Sequence, residues 1–97
     1  MSVQDIETKA YEEKIGAELQ QAKAQLAEFE GRAKGKKAQM EIDAIHRLKT
    51  KHQEIEKKSH ELKTLGEAKA GQAKAEMDAE ITKLKTSLAE IGAKLKG

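Results

Sequence analysis

His52, Glu56 and His60 recur at intervals of four residues, so a helix stacks them on neighbouring turns. Imidazole nitrogens and a carboxylate at that spacing suit a divalent ion such as Zn²⁺, Cu²⁺ or Ni²⁺. One helix face offers only two adjacent ligands easily, and the remaining ligands must come from another helix. The competing reading is stronger, because no HExxH-like context surrounds the three residues. In that reading His52 fills a polar slot in a helix seam, while Glu56 and His60 are solvated. A second cluster, Arg32, Lys34, Lys36 and Lys37, could contact phosphates. Nucleic-acid sites usually add aromatic stacking or a recognition motif, and this cluster has neither. Binding to nucleic acid or to an anionic lipid surface is therefore expected to be nonspecific and salt-sensitive, and it is not favoured.

Other chemistry is poorly served. The chain has no Cys, which excludes disulfides, thiolate metal sites and a Cys nucleophile. Gly31-x-x-x-Gly35 lacks the preceding strand and the Ser/Thr of a phosphate-binding loop. Ser2, Ser59 and Ser87 have no convincing His/Asp partners. Glu12 and Glu13 are neighbours on one face rather than opposed across a cleft. No enzyme activity and no cofactor are expected.

Helices are the elements that must position these residues. Ala, Glu, Lys, Leu and Gln dominate, Pro is absent, and apolar and charged residues each make up 37% of the 97 residues. That profile belongs to long helices and coiled coils. Ile45, Leu48, His52, Ile55, Ser59 and Leu62 follow a 3-4 spacing that places all six on one stripe. Such a stripe needs a partner helix. Ile15, Leu19, Ala22, Leu26, Phe29 and Ala33 form a second stripe, and Met77, Ile81, Leu84, Leu88, Ile91 and Leu95 a third. Met40 and Met77 read as gap-filling core residues.

Two breaks are possible. Gly31 and Gly35 weaken a helix, but no capping residue follows them, and an 11-residue rhythm through Met40 and Ala44 favours continuity slightly. At the second, Gly66 can end a helix, and Thr64-x-x-Glu67 reads as a capping box for the next. Ser2 with Asp5 suggests a similar box at the start. The expected helices are about 3–30 and 36–65, either separate or continuous, and about 72–96, with a turn about 64–71. The fold class is all-α, an antiparallel helical coiled coil in one domain over 1–97. It is either a three-helix bundle or a long helix with a shorter one folded back.

Charge is uneven. Residues 1–30 carry three Lys against seven acids, and residues 31–65 carry ten Lys/Arg against five. The simplest expectation is that the basic middle pairs with the acidic first segment. The core is expected to be thin and completed by homo-oligomerisation. No apolar leader opens the chain and no run approaches a membrane span, so a cytoplasmic location is expected.

Tyr11-Glu12-Glu13-Lys14, His60-Glu61-Leu62-Lys63 and Gly66-Glu67-Ala68 occur in an order that resembles a group of small bacterial coiled-coil proteins, sometimes called stress-protein-like. The resemblance spans residues 11–85. It departs from that pattern in the last helix, where members often carry Trp and this chain has Ala70 and Ile81. The resemblance implies a helix continuous through Gly31–Gly35 and no enzyme activity. The expected function is a non-catalytic coiled-coil scaffold or protein-interaction protein. The alternatives are a basic helical protein on nucleic acid or anionic membrane, and a metal-responsive helix pair.

Overall fold

The computed structural model describes residues 3–96. Among them are three α-helices: α1 (Val3–Gly35), α2 (Gln39–Glu61) and α3 (Glu67–Leu95), with a single 3₁₀ turn at Leu62–Thr64. Each helix touches the other two. Both connections are short, so α2 runs antiparallel to its neighbours and α1 and α3 run parallel. The body measures 51 × 17 × 17 Å, and its long dimension is the length expected of a helix the size of α1. This is the three-helix bundle.

The three stripes meet along one axis. Ile15, Leu19, Ala22, Leu26 and Ala33 from α1, Ile45 and Ile55 from α2, Leu62, and the whole Met77–Leu95 stripe of α3 are buried together. Phe29 and Leu48 pack against that core half-buried. The partner required by the middle stripe is supplied by the same chain. Further copies are not needed to cover it. Thr8 and Ala70 are also buried. Each lies seven residues before the first expected anchor of its helix, which is where a heptad would place one.

The slight preference for one helix running on from Gly31–Gly35 into the middle segment is corrected. Helix α1 does run through both glycines, but the chain reverses at residues 36–38. Ala38 N–H donates to Ala33 O (2.9 Å) and Lys37 N–H donates to Lys34 O (3.1 Å). These are the two bonds of a Schellman motif. Its left-handed residue is Lys37, with φ 56°, and not a glycine. Holding a side chain there costs on the order of 1 kcal/mol relative to Gly. Each Leu or Ile that the reversal buries contributes about 1.5–3 kcal/mol, so packing wins over local preference. The turn also resets the helical register. Ala38, Ile42 and Ile45 point inward, and Met40 is left 79% exposed on the outer face. Met40 is therefore not the core residue its spacing suggested.

The second connection also differs from expectation. Thr64 Oγ1 donates back to Glu61 O at 2.6 Å, so Thr64 does not cap α3. The N-cap is Gly66, in extended backbone with φ −69° and no side-chain cap bond. Leu65 packs on the core just before it, five residues ahead of buried Ala70, the arrangement of a hydrophobic staple. The box proposed at Ser2 lies outside the described residues. Farther along α3, Gly92 has a packing role. A Cβ there would lie 3.0 Å from Phe29 Cζ, so its absence lets the ring lie close against α3.

Candidate functional site

His52 sits in the seam between α1 and α2. Its Nε2–H donates to the backbone carbonyl of Leu19 at 2.7 Å in a buried bond. The carbonyl can only accept, so the neutral ring carries its proton on Nε2. Leu19 is held in place by the core, and α2 presents His52 because it falls on the same stripe as Ile45 and Ile55.

Glu56 and His60 are exposed and line, with His52, a solvent-open α1–α2 groove of about 420 Å³. Glu12, Glu13 and Ser59 line the same groove. Glu12 Oε1 is buried there without a hydrogen-bond partner. Even so, among the described residues no three His, Cys, Asp or Glu side chains are placed to hold a metal ion. The trio singled out by spacing shares a groove wall, and its most buried member is already bonded to backbone.

Tyr11 is the polar contact that spacing did not reveal. Its hydroxyl lies 2.9 Å from Lys74 O and 2.6 Å from Asp78 Oδ1. The Lys74 ammonium stands 5.4 Å from the ring centroid, within cation–π range. Burial pushes the phenol well above its usual range, and the hydrogen bond to Asp78 and the charges of Asp78 and Glu18 push the same way. Tyr11 thus ties the first half of α1 to α3.

Ion pairs bridge the helices elsewhere. Glu30 of α1 meets Lys49 (2.7 Å) and His46 (3.5 Å) of α2. The hydrogen bond from Lys49 holds the Glu30 carboxyl below the usual carboxylate range, with Lys34 and His46 assisting. Glu80 of α3 meets Lys58 (2.5 Å) and Lys51 (3.6 Å) of α2. Burial pushes Glu80 up, but the bond and charge of Lys58 and the charge of Lys51 outweigh it and leave the carboxyl below its usual range. The bond to Glu80 raises Lys58 in turn. Glu18 of α1 pairs with Lys85 of α3 at 2.8 Å. Among the described residues, the acidic first segment therefore meets the basic middle at Glu28 and Glu30, and reaches across to α2 at Glu30. Glu80, an acid of α3, covers another part of α2.

The cluster Arg32, Lys34, Lys36 and Lys37 lies at the tip formed by the 36–38 turn, and all four are exposed. Arg32 pairs with Glu28 at 2.8 Å, Lys34 lies 4.0 Å from Glu30, and Lys36 Nζ donates to Leu95 O. No described helix is long and apolar enough to cross a membrane. No protein-family model, curated protein or solved structure matches the chain.

Proposed function

We propose that this chain is a non-catalytic helical scaffold that works through contact between its outer faces and another protein. The supporting observation is where the reactive side chains are spent. His52 and Tyr11 bond neighbouring helices, and Glu18, Glu30 and Glu80 clip helices together. The inter-helical grooves are open to solvent. Apart from Ile6 and Met40, the large apolar side chains are buried or half-buried in a body 51 Å long among the described residues. The outer face of α1 instead presents Ala17, Ala24 and Ala27 beside Gln20 and Gln21, in a shallow depression. A stiff body with such faces suits holding and spacing rather than enclosing a substrate.

The test places a photo-crosslinking amino acid at Ala17, Gln53 or Lys83, one exposed position on each helix, in extract of the native cell. A scaffold yields discrete protein adducts from one face, and an excess of unmodified bundle competes them away. Sedimentation of the free chain distinguishes a second copy from an unrelated protein as that partner. Absence of protein adducts from all three faces, or turnover of a small molecule by the purified chain, overturns the reading.

A further inference from the structure

The two ends of the bundle differ in charge. At the 36–38 end, residues 31–40 contribute Arg32, Lys34, Lys36 and Lys37, and residues 91–96 contribute Lys94 and Lys96. Neither stretch contains Asp or Glu, and the first turns of α2 add Glu41 and Asp43, which leaves this end clearly cationic. At the other end, residues 6–10 and 60–69 balance Lys9, Lys63 and Lys69 against Glu7, Glu61 and Glu67. The basic tip gathers the C-terminal turns of α1 and α3, whose partial negative charge stabilises nearby cations. Two helix ends of about half a charge each do not neutralise six cations. Arg32 pairs with exposed Glu28, a contact of the kind worth little, and Lys34 lies 4.0 Å from a Glu30 already bonded to Lys49. Lys37, Lys94 and Lys96 form no ion pair among the described residues.

Beside these cations stands Met40, the most exposed large apolar side chain among the described residues. The bundle is 17 Å across, so the cations are gathered on the cross-section of one narrow end. We propose that this tip docks end-on against an anionic lipid bilayer, its cations meeting the headgroups and Met40 entering among them. This goes beyond the scaffold reading, because it assigns a partner to one end of the molecule. A nucleic acid meets the charge but leaves Met40 without a role. It also lacks a stacking surface, since the chain's one Phe packs on Gly92 and its one Tyr lies in the other half. A bilayer uses both features, with cations supplying most of the attraction and one apolar side chain adding to it.

Flotation of the full chain with phosphatidylcholine vesicles, with and without phosphatidylserine, across a salt series tests this, with circular dichroism on each variant. Wild type is expected to float with the anionic vesicles only, and less as salt rises. Combining Lys37→Gln, Lys94→Gln and Lys96→Gln is expected to weaken binding about 100-fold. Met40→Ser should weaken it several-fold. Lys9→Gln, Lys63→Gln and Lys69→Gln together, the same charge loss at the other end, should stay within about two-fold of wild type. No flotation at low salt overturns the proposal, as does equal loss in the control variant. Tighter binding to duplex DNA or RNA than to the vesicles at matched salt also overturns it.

Discussion

The half of the bundle nearest the 36–38 turn and the half nearest Leu62–Thr64 share one axis but differ inside. The first is dry: Ala22, Leu26, Ala33, Ile45, Leu84, Leu88, Ile91 and Leu95 fill it, and no polar side chain is buried there among the described residues. The second contains Thr8, His52 and Ser59, all buried, and Tyr11 tied to α3. Apolar packing carries more free energy per residue than a buried hydrogen bond, while the bond constrains geometry more. The dry half therefore supplies cohesion, and the polar half sets how the helices align. The polar half is expected to open first in native-state hydrogen exchange.

The largest effect expected is in the dry half. Leu88→Ala should cost about 3 kcal/mol in urea unfolding, through lost burial and the cavity left behind. In the polar half, Tyr11→Phe should cost about 1 kcal/mol at neutral pH. It should also change the alkaline limb. The folded phenol titrates above its unfolded counterpart, so its contribution is full below pH ~10 and is lost as pH rises further. The Phe variant should lose less stability than wild type above that point, measured as the difference between their melting temperatures. His52→Leu should raise stability by up to about 1 kcal/mol, because the Leu19 carbonyl keeps its helical bond and an apolar group replaces a polar one. A loss of similar size would instead make the His52 bond a net source of cohesion and blur the division between the halves.

Lys37→Gly should add a little under 1 kcal/mol by relieving the left-handed residue at the dry end. The smallest effect concerns acid. Glu30 and Glu80 are held below the usual carboxylate range, so their contribution is present above the unfolded value of about 4.3 and fades as pH falls through the folded one. Glu80→Gln should flatten that acid limb in a pH series of melting temperatures.

The core was largely legible because heptad spacing is a direct projection of helix geometry. Ile15 through Leu26, Ile45 through Leu62 and Met77 through Leu95 were all readable, and with them the all-α class. His52 as a seam residue was also readable, because it occupies an apolar slot. The turn was not, since the residue that takes the left-handed conformation is Lys37 while two glycines stand just before it in the helix. Local propensity pointed elsewhere, and only the gain from folding α2 back decides the matter. Met40 was misplaced for the same reason: its spacing is meaningful only if the helix continues. The contacts of Tyr11 and Glu80 join residues far apart in the chain, and no local pattern encodes them. The basic tip was half visible. Arg32 to Lys37 form a run, but Lys94 and Lys96 join it only through the parallel course of α1 and α3.

An odd number of passes has a consequence for whatever is attached to this molecule. Val3 and Lys96 emerge at opposite extremes of a body 51 Å long, whereas a helical hairpin would bring its ends side by side. Fluorophores joined before Val3 and after Lys96 would be held apart by nearly that full distance, as if mounted on a molecular yardstick.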